Sequence, residues 1–140
     1  MPSSFANPSD AEIREILAQP KNVAVLGCSS DPGRDSHRIA ALLQERGHRI
    51  FPVHPAGGRI LDRPVTANLA GIEEPIEMVD VFRRPEAVDG IVDEALAIGA
   101  RVLWLQLGVV DEKAALRATR AGMTVVMDRC PAIEYRRLFP

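Results

Sequence analysis

Five short, largely apolar runs punctuate the chain: Asn22 to Leu26, His48 to Val53, Met78 to Phe82, Val102 to Leu105 and Thr124 to Met127. Runs of this length, rich in β-branched and aliphatic residues, predict strands covered on both faces. Between them the apolar positions recur every three or four residues. Ile39, Leu42 and Leu43 share one face of a segment that Ser36 opens and Gly47 closes, and Val88, Ile91, Val92, Ala95 and Leu96 do the same between Pro85 and Gly99. A third such segment, Asp111 to Ala121, ends at Gly122. Each reads as a helix packed on a sheet. Ahead of the first strand, Ser9 and Glu12 form a capping box that predicts a helix from Asp10 to Ala18, with Pro20 beyond its end.

Two stretches depart from this rhythm. Ala56 to Pro75 holds Gly57, Gly58, Pro64 and Gly71 among modest apolar residues, which predicts a long connection with a short turn of helix near Asn68 to Ile72. Pro131 to Phe139 reads as a short terminal helix or coil. Pro52 predicts that ladder pairing of the second strand stops near its end. Strictly alternating strands and helices require parallel crossovers. The expected fold is therefore α/β: a single doubly wound, parallel five-stranded sheet of Rossmann type, in one domain spanning residues 1–140.

Composition narrows the partners. At 46% hydrophobic and 26% charged residues, the chain has the balance of a folded domain. Lys+Arg number 17 against Asp+Glu 19, a net charge of −2, so no overall basic field recruits nucleic acid or an anionic membrane. Aromatic residues at 4% are too few for a base-stacking platform. No apolar run reaches membrane-spanning length and the start shows no signal pattern, which predicts a cytoplasmic protein. Cys28 and Cys130 are too few and too distant for a disulfide framework, and no His/Cys/Asp group has metal-ligand spacing.

Open α/β sheets bind ligands outside the carboxyl ends of their strands, where strand order reverses. That rule selects Gly27 to Ser36, Val53 to Gly58, Arg83-Arg84 and Gln106-Leu107-Gly108. The first loop combines Gly27, for close backbone approach, with the hydroxyls of Ser29, Ser30 and Ser36 and a helix amino end that favours anions. The same serines also suit plain helix capping. A dinucleotide fingerprint GxGxxG is missing, since no glycine stands between Gly27 and Gly33. The second strand ends in Val53-His54-Pro55 rather than in the acidic residue that holds an unphosphorylated ribose, so a ribose bearing a phosphate fits better. Arg34, His54, Arg59, Arg83 and Arg84 together suit several phosphates.

With these residues in view, the chain resembles the small, stand-alone CoA-binding proteins that correspond to the amino-terminal domain of the succinyl-CoA synthetase α subunit. The resemblance runs through Val25-Leu26-Gly27, the serine loop to Ser36, Pro52-Val53-His54-Pro55, Val81-Phe82-Arg83-Arg84-Pro85, Trp104-Leu105-Gln106-Leu107-Gly108, Ala121-Gly122 and Asp128-Arg129-Cys130-Pro131. It implies coenzyme A as cofactor, with the pyrophosphate near Gly27, Cys28, Ser29, Ser30, Arg34 and Ser36. It also implies the adenosine end near Val53, His54, Pro55, Phe82 and Arg83, with Arg84, Gln106 and Gly108 completing the site. His54 stands where family members usually carry asparagine. The synthetase histidine that becomes phosphorylated lies in a second domain with no counterpart in these 140 residues, so ligase activity is not expected.

The alternatives are an NAD(P)-dependent oxidoreductase and a regulatory module whose nucleotide occupancy is read by a protein partner or a second copy. A catalytic triad is not expected, because His37, His48 and His54 lack a serine or acidic partner in the pattern. Cys28 and Cys130 read as small buried side chains, and Trp104 as core.

Overall fold

The computed structural model describes residues 4–140. Nine residues form the first helix, α1 (Asp10–Ala18), whose capping box is formed: the Glu12 N–H donates to Ser9 Oγ and the Ser9 N–H to the Glu12 carboxylate. The remaining elements follow in the order β1 (Asn22–Leu26), α2 (Asp35–Glu45), β2 (Arg49–Val53), β3 (Arg59–Ile60), β4 (Arg63–Pro64), β5 (Met78–Val81), α3 (Val88–Ala97), β6 (Val102–Leu105), α4 (Glu112–Arg120), β7 (Thr124–Val126) and α5 (Pro131–Leu138). The terminal segment, open between helix and coil on sequence grounds, is thus helical.

Five strands pair in parallel in the order β2-β1-β5-β6-β7. From β1 the chain moves outward through α2 to β2, then returns across β1 and proceeds the other way through α3 and α4. Because crossovers share one hand, that reversal moves the helices to the opposite face. Val79, Val81, Leu103 and Leu105 accordingly pack with the α3 and α4 side chains Val88, Val92 and Ala115. Val23, Val25, Met78, Trp104 and Val126 face Ile13, Leu17, Ile39, Leu43 and Tyr135 from α1, α2 and α5. The strand order reverses between β1 and β5, and it is there that the two halves of the molecule meet.

Pairing of β2 with β1 ends at Val53, near the strand's end as Pro52 predicts: the register runs through Val25 with Pro52 to Leu26 with Val53. β2 is the edge strand, and Pro52 turns its carbonyl outward to accept from the Thr66 N–H, so the missing proline donor costs the ladder nothing. The connection after β2 also contains a β3-β4 hairpin whose turn residues, Leu61 and Asp62, both have positive φ, at 52° and 61°. Leucine carries no signal for that conformation. The expected helical turn is present as a 3-10 turn, Leu69–Gly71, capped by Asn68 Oδ1.

Candidate functional site

At the reversal point the backbone itself comes close. Gly27 follows β1 with φ +79°, and a Cβ on it would lie 2.2 Å from the Phe82 carbonyl oxygen at the end of β5. Only glycine joins these two strand ends at this separation. Beyond Gly27, the polar side chains of the loop satisfy one another. Ser36 Oγ accepts from the Ser29 N–H at 2.9 Å, Ser29 Oγ from the Asp31 N–H at 3.0 Å, and Asp31 Oδ1 from the Gly33 N–H at 2.9 Å, while His37 Nδ1 lies 2.9 Å from the Ser29 carbonyl. None of the serines caps α2, contrary to the capping alternative. Its N-cap is Arg34, which supplies no side-chain bond, so the first-turn N–H groups of α2 point outward uncapped.

Three cavities open around this junction. A polar crevice of about 490 Å³ is lined by Gly27, Ser29, Arg34, Ser36, His54 and Phe82, along with Gly33 and Asp35. A smaller cavity of about 280 Å³ has Val53, Asn68, Leu69, Arg83, Gly90 and Glu94 in its wall. The largest, about 930 Å³, lies between α2, the ends of β5 and β6, and α5, with Phe82, Arg83, Arg84 and Gln106 in its wall. Phe82 lines both the polar crevice and the large cavity, and Arg83 both the smaller and the large cavity, so the large cavity adjoins each of the other two at the residues following β5.

Most residues singled out from sequence are thus brought together. Five are not part of these walls. Cys28 is fully buried beneath the loop, where burial, then the nearby Asp80, pushes its thiol up to about 11, so it stays protonated and unreactive near neutral pH. Ser30 and Pro55 are exposed and outside all three cavities, and the Gly108 N–H is held by Asp128 Oδ1 at 2.8 Å. Arg59 donates to the Asp62 carbonyl within the hairpin turn, away from the strand ends. His54 Nδ1 accepts from the Ala56 N–H, which fixes the ring at the crevice.

The sequence reading missed the α5 wall and the buried acid behind the site. Cys130, Ala132, Ile133 and Arg136 reach the large cavity because α5 folds back against α1 and α2. It is fastened there by Arg137, which bridges Asp10 and Glu134, and by the Tyr135 hydroxyl, which donates to the Leu17 carbonyl at 3.0 Å. Asp80, in the middle of β5, is fully buried; Gln106 donates to its Oδ1, while Oδ2 has no partner among the described residues. Burial raises this carboxyl to about 7, opposed by the Gln106 bond. An aspartate inside an apolar run carries no sequence signal for such pairing.

Arg83, Arg84 and Arg136 have no hydrogen bond or ion pair to protein among the described residues, whereas the surface arginines Arg117 and Arg137 do. Three guanidinium groups without such partners line one opening, a chemistry suited to anions. Among the described residues no group of His, Cys, Asp and Glu is arranged to hold a metal, and no helix is long and apolar enough to cross a membrane.

Comparison with known proteins agrees with this geometry. A solved structure of a hypothetical protein from Pyrococcus horikoshii OT3 is 32% identical, with a TM-score of 0.90 over the whole of both chains. The uncharacterized protein YneT of Bacillus subtilis (strain 168) is 42% identical over 124 residues, covering 89% of this chain and 92% of that one. The fold alone is shared with a dinucleotide-forming acetyl-coenzyme A synthetase 1 of Ca. Korarchaeum cryptofilum, at 18% identity and a TM-score of 0.69, covering 81% of this chain and 27% of that one. The sequence profile of the CoA binding domain matches residues 21–136, from the start of β1 to α5, and the chain belongs to that family.

Proposed function

We propose that this chain binds coenzyme A, free or acylated, across the carboxyl ends of β1, β2, β5 and β6, and that it acts as a binding module rather than an enzyme. The observation that carries this reading is a large, mainly apolar cavity that shares Phe82 with a polar crevice and Arg83 with a smaller cavity. Coenzyme A has three unlike parts. Its pyrophosphate lies at the uncapped first turn of α2 beside Arg34, where N–H groups and the helix dipole favour anions. Its adenosine end lies toward Val53 and Arg83, and its pantetheine arm enters the large, mainly apolar space. Family membership supports the cofactor, and the absence of an acidic residue after β2 disfavours NAD.

The test is isothermal titration of ligand-free protein with CoA, dephospho-CoA and NAD in parallel. The expected result is saturable binding of CoA, weaker binding of dephospho-CoA and none of NAD. Binding of NAD without binding of CoA would overturn the reading.

A further inference from the structure

We propose that the large cavity holds an uncharged acyl chain, so that the ligand of this chain is an apolar acyl-CoA rather than free CoA or a dicarboxylic acyl-CoA; this rests on the CoA reading above. The wall is apolar where it is deep and charged where it meets water. Ile39 and Val109 are buried and Leu42 is half-buried, whereas Arg38, Arg84 and Arg136 are exposed. The described residues include three exposed large hydrophobic side chains, Leu107 at 56%, Ile133 at 43% and Val110 at 42%; two line this cavity and the third adjoins the Val109 wall. Apolar surface left to water in one place marks a surface that a ligand or partner covers. The cations of the rim and the shared junction at Phe82 and Arg83 select a ligand that is anionic at one end and apolar at the other. Asp35 and Phe82 line both this cavity and the polar crevice, so one molecule spanning that shared wall reaches both.

The buried polar group in the wall separates the acyl classes. Gln106 is 5% exposed and gives an amide N–H to Asp80, whose carboxyl group lies directly behind it. Its carbonyl oxygen suits an amide N–H of the pantetheine arm. A carboxylate-bearing acyl tail would meet that acceptor, the buried acid and the aliphatic wall, and would lose its hydration without a donor in return.

The experiment is isothermal titration of CoA, acetyl-CoA, hexanoyl-CoA, decanoyl-CoA and succinyl-CoA into the wild-type chain and into Ile133→Glu and Leu107→Glu, both at exposed positions that tolerate a charge. Each methylene removed from water strengthens binding by up to about fourfold. Hexanoyl-CoA is therefore expected to bind at least about tenfold tighter than acetyl-CoA, with succinyl-CoA no better than acetyl-CoA. In both variants the ratio of decanoyl to acetyl affinity should collapse toward one. A flat series in a wild-type chain that binds CoA overturns the acyl inference and leaves the CoA reading standing. Tightest binding of succinyl-CoA overturns it in favour of a dicarboxylic ligand, and no binding of any member overturns both.

Discussion

Asp80 is fully buried with one carboxyl oxygen unpartnered among the described residues. Its raised value, about 7 against an ordinary 3.8, fixes the sign of its effect on stability. Between those values the unfolded chain loses the proton while the folded chain keeps it, so this group lowers stability as pH rises from about 4 to 7 and changes nothing further above that. Asp80→Asn removes the titration. Denaturant unfolding of both forms at pH 5, 6 and 7.5 should show the variant gaining relative to wild type as pH rises, by a few kcal/mol at most. A constant difference would mean that Asp80 titrates normally. His48 works in the opposite sense: burial first, then Lys21, lowers its value, so its share of stability is present above the ordinary 6.5 and is lost as pH falls below it. Comparison against Asp80→Asn, rather than a single pH curve, keeps the two effects apart.

At the scale of elements, the site depends on how closely β1 and β5 end together. Gly27→Ala places a methyl group where the Phe82 carbonyl stands and forces a left-handed backbone on an L residue, which by itself costs about 1–2 kcal/mol. The clash adds to this, and a thermal scan should show a loss of at least about 6 °C. An unchanged melting temperature would contradict the close approach. The five strands, α1, α3 and α4 were legible in the sequence because period and punctuation agree there; their observed bounds differ by a residue or two, except that Pro85–Ala87, expected as the first turn of α3, is a 3-10 turn and α3 starts at Val88. The β3-β4 hairpin was not legible, since Leu61 and Asp62 turn the chain without glycine. The role of α5 escaped for a different reason. Its place is set by contacts across more than a hundred residues, such as Arg137 with Asp10 and Tyr135 with Leu17, which no local pattern encodes. The strand-end rule picked out the residues of the polar crevice and missed the wall that α5 provides.

For the molecule as a whole, a net charge of −2 coexists with a focused cationic opening. Ion pairs such as Arg117 with Asp89 and Asp93 neutralise surface arginines elsewhere, while Arg83, Arg84 and Arg136 have no ion pair among the described residues and line the large cavity. The central claim, that CoA lies across this junction, is tested most directly by titrating CoA into the wild-type chain and Arg83→Glu, with circular dichroism to verify that both are folded. Arg83 borders both the small and the large cavity, so charge reversal there removes a phosphate contact and adds repulsion. One-to-one binding to the wild type is expected, with a loss of at least about tenfold, equivalent to about 1.4 kcal/mol, in the variant. Equal affinity in the two folded proteins would contradict the placement of the ligand at the β1/β5 junction.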